Sequence, residues 1–326
     1  MERLLRHTIS WALFLVVSLG IMAATLSQMS ALGEAGRPHL TNALTFGGAV
    51  GFTSGQPPTV TAKAAYVFDA NLGRAYYAKD ADEELPMASC TKIMTALLAV
   101  EHGSLDQTVA VGADAAALVR ADSSYMGLSA GERLSLRELL YGLVLPSGND
   151  AAVAIADAIG GNLPNFVALM NQRAQELGLT HTHFVNPHGL GAPGHFTSAR
   201  DLAVLAGVAM QQPELVKITS TLHYSIPKTA EHKAYELQTG TDLIAGARSP
   251  YPGAIGVKPG YTGDAGYCEA FAAVRHGHLI VGVVLDEPSW QIRIDDMRAL
   301  LDWGFEQESI PPAPPPIPWS YPSPSL

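Results

Sequence analysis

The chain has 326 residues, 48% hydrophobic and 15% charged, with two cysteines and a formal net charge of -10. That length can bury a real core without disulfide staples, which excludes fibrous, disulfide-scaffold and wholly disordered classes. The acidic balance, with no cluster of Lys or Arg, argues against a nucleic-acid backbone as partner, because affinity for phosphates comes from clustered positive charge.

At the N-terminus, Arg3 and Arg6 precede an apolar run over residues 9–26, the pattern of an export signal. A cleaved signal has an apolar region of ~7–15 residues and a bilayer span needs ~20. The run lies between the two, so residues 1–26 read as either a signal peptide or a membrane anchor, and the chain is expected outside the cytoplasm. Residues 27–58, rich in Gly, Thr, Ser and Ala, read as a flexible linker. The globular part is then expected over residues 59–307. Eight prolines after residue 310 favour an extended, disordered tail over residues 308–326.

Within those limits, residues 63–69 alternate Ala65 and Val67 with Tyr66 and Phe68, Asn71-Leu72-Gly73 supplies a turn, and residues 74–78 return. This predicts a β-hairpin. A helix is expected over residues 89–102, with Gly103 as a left-handed cap. Ser135 and Glu138 form a capping box that opens another helix, ending near Leu145. Further helices are expected over 150–159, 162–177 and 198–210, with Arg200 as a structural residue at the start of the last. Strands return over 255–262, 267–275 and 279–285, before an amphipathic helix over 289–305. Such segregation predicts an α+β fold: an antiparallel sheet flanked by helices, with an all-helical insertion between strands two and three.

Three short motifs fall at junctions of this layout. In Ser89-Cys90-Thr91-Lys92, residues three apart share a helix face, so the Ser89 hydroxyl and the Lys92 amine can meet. A serine needs a base, and burial at a helix N-terminus disfavours a lysine's charged form. In Ser147-Gly148-Asn149, between two helices, a hydroxyl and a carboxamide on a tight turn can face one cleft. In Lys258-Pro259-Gly260, followed by Tyr261-Thr262 on a strand, the lysine can hold a substrate carboxylate and the glycine can let a substrate lie close.

Together, and with Asn186-Pro187-His188-Gly189-Leu190 and Ala199-Arg200-Asp201-Leu202, these motifs resemble those of the D-alanyl-D-alanine carboxypeptidases, low-molecular-mass serine penicillin-binding proteins. The resemblance covers roughly residues 59–306. It implies a β-lactamase/transpeptidase-like fold and removal of the terminal D-alanine from peptidoglycan stem peptides through an acyl-enzyme. It also implies acylation by β-lactams; no cofactor or metal is expected. Ser89 is then the nucleophile, Lys92 the base for acylation and Ser147 the proton relay. Asn149 binds the substrate backbone, Lys258 its carboxylate, and the N–H groups of Ser89 and Tyr261 form the oxyanion hole. Gly260 and Thr262 complete the substrate-binding set. The family usually has threonine where Pro259 stands, so one carboxylate-binding hydroxyl is missing.

Alternatives are a D,D-endopeptidase, a noncatalytic β-lactam or muropeptide sensor, and a β-lactamase, for which no acidic loop stands out. His181, His183, His188 and His195 lack an H-E-x-x-H pair and are expected as solvated or core-satisfied rings, not zinc ligands. Cys90 and Cys268 are expected as free thiols.

Overall fold

The structure, a computed structural model, describes residues 55–120 and 123–310. The signal or anchor segment, nearly all of the linker and the proline-rich tail beyond Ile310 lie outside the described residues.

The predicted hairpin forms from β1 (Ala64–Asp69) and β2 (Arg74–Lys79). Its turn is closed by Asp69, whose Oδ1 accepts from the N–H groups of Asn71 (2.7 Å) and Leu72 (3.1 Å). Three long strands follow late in the chain: β7 (Ala254–Thr262), β8 (Gly266–Arg275) and β9 (His278–Glu287). They join the hairpin in one antiparallel five-stranded sheet of order β2-β1-β9-β8-β7. In β1 all six residues are buried, because both faces of the sheet are covered. Ala64, Tyr66 and Phe68 pack into the core shared with the helical insertion, while Ala65 and Val67 pack into the core under the C-terminal helix. Each such large apolar side chain contributes about 1.5–3 kcal/mol through burial.

Between β2 and β7 the chain forms a 3₁₀ turn (Ala88–Thr91) that runs directly into α1 (Lys92–His102). Then come β3 (Thr108–Ala110), α2 (Ala113–Ala116), β4 (Arg133–Ser135), α3 (Leu136–Val144), α4 (Asn149–Gly160) and α5 (Leu163–Glu176). After these lie α6 (Ala199–Ala209), α7 (Pro213–Thr219), β5 (His223–Ile226) and β6 (Tyr235–Gln238). The insertion is therefore not all-helical: β3 pairs with β4 and β5 with β6 in two small ribbons. Three- and four-residue strands are too short for a period-2 pattern to emerge. The last helix, α8 (Trp290–Gln307), is capped by Ser289, and packing continues to Ile310, which is buried beside it.

Local sequence explains several boundaries. Ser135 accepts from the Glu138 N–H and Glu138 accepts from the Ser135 N–H, the expected capping box, worth about 1 kcal/mol. Arg200 sits near the start of α6, paired to Asp82 at 2.6 Å and stacked over the Tyr66 ring. Gly103 departs from expectation. Its backbone is extended, not left-handed, and glycine is required for space: an added Cβ would lie 2.3 Å from Leu136 and 2.8 Å from the Ala99 carbonyl.

Glu287, the last residue of β9, is 1% exposed. Burial, then the neighbouring Asp296 carboxylate, pushes its carboxyl up to about 8 from an ordinary 4.5. A carboxyl that binds its proton more tightly when folded loses stability as pH rises from the unfolded toward the folded value. Glu287→Gln is therefore expected to raise the melting temperature more at pH 9 than at pH 5. Thermal unfolding at the two pH values checks this, and an equal or reversed effect would contradict it.

Candidate active site

The three motifs meet where β7, at the edge of the sheet, lies against the 3₁₀ turn and the start of α1. Gly260 makes this approach possible. A Cβ at that position would stand 2.8 Å from the Ser89 nitrogen and 3.1 Å from the Ala88 Cβ. The glycine thus seats the strand against the turn that carries Ser89, a tighter constraint than room for substrate.

Ser89 precedes α1 and Lys92 is its first residue, so the spacing of three delivers the predicted contact, Lys92 Nζ to Ser89 Oγ at 3.0 Å. Two further oxygens surround the amine: Asn149 Oδ1 at 2.6 Å and the His188 carbonyl at 2.7 Å. Lys92 is 1% exposed. Burial, then the charge of Lys258, holds its pKa well below the ordinary lysine value. A neutral amine has two N–H bonds and one lone pair. Both a carbonyl and an amide oxygen can only accept, so in the neutral form His188 and Asn149 would take the two hydrogens and leave the lone pair facing the Ser89 hydroxyl. This arrangement can receive a proton from serine.

The amide of Asn149 is itself oriented, since its Nδ2 donates to Ser123 Oγ at 2.8 Å. That loop is fixed by Asp150, a buried carboxylate that accepts from the N–H groups of Met126, Gly127 and Leu128, each at 2.8 Å. Ser123 and Asp150 were not singled out from the sequence. The signal was present in Asn149-Asp150 at a helix start, where an acidic side chain meets unpaired N–H groups. Ser147 lies on the same turn, at a left-handed φ of 62°. Its hydroxyl is buried without a hydrogen-bond partner, so the structure brings Asn149 into contact with Lys92 but leaves Ser147 unbonded.

On the opposite wall, Lys258 is 3% exposed, and burial is the first cause that pushes its amine down to about 8. It donates to the Pro259 carbonyl at 3.0 Å. The β7–β8 pairing runs unbroken through Pro259, opposite Glu269. Proline cannot donate to a ladder, so it occupies a position whose N–H would face the open edge of β7. Tyr261, two residues on and aimed at the same edge, is exposed and its ring packs on Tyr267. The Thr262 hydroxyl is buried without a partner.

The four histidines have separate partners. His183 Nδ1 bonds the Gly194 carbonyl, His188 Nδ1 accepts from Leu190 N–H, and His195 bonds Thr91. His181 lies near Asp201, which accepts from its backbone N–H. Cys90 and Cys268 are buried free thiols; burial pushes Cys90 up to about 12, and its Sγ sits 3.3 Å from the Lys258 carbonyl.

A family model described as D-alanyl-D-alanine carboxypeptidase matches residues 52–289. The chain is 34% identical over 256 residues to D-alanyl-D-alanine carboxypeptidase DacF of Bacillus subtilis strain 168, across 77% of this chain and 64% of that protein. To the D-alanyl-D-alanine carboxypeptidase of Streptomyces sp. strain K15 it is 35% identical over 270 residues, across 79% of this chain and 92% of that one. The solved Streptomyces K15 DD-transpeptidase superposes with a TM-score of 0.72 at 32% identity, over 77% of this chain and 100% of that chain. Penicillin binding protein 6B from Escherichia coli superposes at 0.70 with 34% identity, over 78% and 80% respectively. The chain thus spans just under two thirds of the Bacillus relative and nearly all of the Streptomyces one. With the family model matched across all three motifs and the fold shared with both solved relatives, the chain belongs to the D-alanyl-D-alanine carboxypeptidase family.

Proposed function

We propose that this chain is a serine D-Ala-D-Ala carboxypeptidase that trims peptidoglycan stem peptides on the outer side of the cell membrane and is acylated by β-lactams. One observation carries the reading: the Lys92 amine, with two acceptors fixed around it, stands within hydrogen-bond reach of the Ser89 hydroxyl. Ser89 Oγ attacks the carbonyl of the penultimate D-alanine while its proton passes to Lys92. The developing oxyanion is met by the N–H groups of Ser89 and Tyr261; the close approach of Gly260 to the Ser89 nitrogen supports this pairing. The C–N bond then breaks and the departing D-alanine nitrogen takes a proton, for which the unpartnered Ser147 hydroxyl is the relay. Water cleaves the Ser89 ester. Lys258, charged, holds the substrate carboxylate, and Asn149 the substrate backbone. Gly260 and Thr262 complete the substrate-binding set on the same strand. The N-terminal apolar run exports the chain and tethers it to the membrane if it is not cleaved.

Likeness to the Streptomyces K15 DD-transpeptidase favours a second outcome for the same acyl-enzyme, attack by an amine in place of water. Added amino acceptor would then divert product from hydrolysis without changing D-alanine release.

The full chain in detergent is expected to gain the mass of one benzylpenicillin, and Ser89→Ala to gain none. Release of D-alanine from a peptide ending in D-Ala-D-Ala excludes a noncatalytic sensor, and hydrolysis of the penicillin without a stable adduct would point to a β-lactamase. Lys92→Met should lower the acylation rate by about 10²–10⁴-fold.

The carboxylate-binding role needs a charged Lys258, and that amine loses its proton above about 8. Steady-state kcat/KM for the same peptide should therefore fall on the alkaline side of about pH 8. Lys258→Arg keeps its charge to a much higher pH, so its profile should lack that fall. An identical alkaline limb in the variant would remove Lys258 as its source.

A further inference from the structure

Thr91 lies between the expected nucleophile and the expected base, and its hydroxyl is 0% exposed as part of a residue wholly buried. Thr91 Oγ1 stands 2.8 Å from the Ala88 carbonyl, which it donates to, and 2.7 Å from His195 Nε2. His195, 5% exposed, accepts a bond from the Val185 N–H at Nδ1, 3.1 Å away. A backbone N–H can only donate, so the ring proton resides on Nε2. Nε2–H therefore donates to Thr91 Oγ1, and the threonine hydrogen is left a single direction, toward the Ala88 carbonyl. The chain of bonds has one sense throughout.

Its end point matters because Ala88 is a non-glycine residue at φ 46°, in the left-handed region that an L-residue occupies only when its surroundings hold it there. Gly189 closes the other side. A Cβ on it would stand 1.8 Å from the Ala88 oxygen and 2.8 Å from Thr91 Oγ1. The Ala88–Ser89 peptide is trans and planar, so the direction of its oxygen sets the opposite direction of its N–H. Pinning the Ala88 oxygen aims the Ser89 N–H. That N–H precedes the first bond of the 3₁₀ helix, which runs from the Cys90 N–H to the Met87 carbonyl.

We infer that Thr91 and His195 are positioning residues: the His195–Thr91–Ala88 relay fixes the peptide plane that presents the Ser89 N–H to the substrate oxyanion. This deepens the carboxypeptidase reading and rests on it. The relay touches no substrate atom, and its effect falls on the transition state, where charge develops on the oxygen. The same loop that brings His195 also brings the His188 carbonyl to Lys92 and the Pro187 carbonyl to Thr95, so one segment holds the Lys92 amine and the peptide that carries the Ser89 N–H.

The test compares Thr91→Val, which keeps the shape and loses the hydroxyl, with Thr91→Ser, which keeps the hydroxyl. Each is made in the full chain in detergent, with melting temperature, benzylpenicillin acylation rate, and kcat and KM for a peptide ending in D-Ala-D-Ala. Thr91→Val is expected to lower kcat and the acylation rate by roughly tenfold to a hundredfold, with KM within about twofold, and Thr91→Ser to restore most of the loss. His195→Gln, which can still donate to Thr91, should outperform His195→Phe, and this pair decides the matter if Thr91→Val fails to fold. Wild-type rates in folded Thr91→Val, equal losses in Thr91→Val and Thr91→Ser, or a loss confined to KM would overturn the relay. If the wild-type chain takes up no penicillin and releases no D-alanine, the carboxypeptidase reading falls and the relay with it.

Discussion

The site depends on keeping one lysine amine out of water while giving it two fixed oxygens. Burial removes the hydration that favours a lysine cation and so lowers the Lys92 pKa, while the His188 and Asn149 oxygens accept from its amine. A lysine in this state is costly unless every neighbour is in place, because a buried amine without partners carries a desolvation penalty of several kcal/mol. The layout of the chain answers that demand. One oxygen comes from the first residue of α4, another from the loop before α6, and the nearby wall from β7 at the sheet edge. The helical insertion between β2 and β7 brings these distant segments around the start of α1.

Precision in this arrangement comes from groups that never meet substrate. Asp150 gathers three loop amides and thereby places Ser123, which orients the Asn149 amide that in turn faces Lys92. Two non-glycine residues beside the reacting groups, Ala88 and Ser147, occupy the left-handed region, each at a cost of about 1–3 kcal/mol. That strain persists because the surrounding core and polar contacts over-determine the backbone. At Ala88 the reason is visible on both sides: Gly189 packs against its carbonyl and Gly260 against the following nitrogen. Glycine at these points is therefore a packing requirement before it is a matter of substrate access.

Much of this was legible in the sequence, and the limits follow from physics. Long elements with a strong period, such as β1, α4, α5 and the three late strands, lie close to where alternation, caps and turns placed them. The Ser89–Lys92 contact was legible because a helical start fixes which residues share a face. The small ribbons were not, since strands of three or four residues carry no measurable pattern. Gly103 was misread because a glycine after a helix has the same letter whether it is needed for a left-handed turn or for the approach of Leu136. Asp150 was not singled out because its role depends on loop amides that arrive from residues 126–128, and His195, expected only as a solvated or core-satisfied ring, gains its partners Thr91 and Val185 from the fold.

Pro259 shows how a departure from family pattern can be absorbed by the fold and still constrain chemistry. Its missing N–H does not weaken the sheet, because pairing with β8 continues on either side. The loss falls on the open edge, where an extended peptide would pair with β7, so one backbone bond to such a ligand is unavailable there. The Pro259 carbonyl on that edge is already engaged by the Lys258 amine. On the proposed reading, a substrate carboxylate that draws the charged Lys258 away frees this carbonyl and exchanges a bond to a neutral oxygen for an ion pair. On the reading proposed above, recognition at this edge falls to the lysine charge and the Tyr261 N–H, with proline holding the backbone between them at a fixed φ.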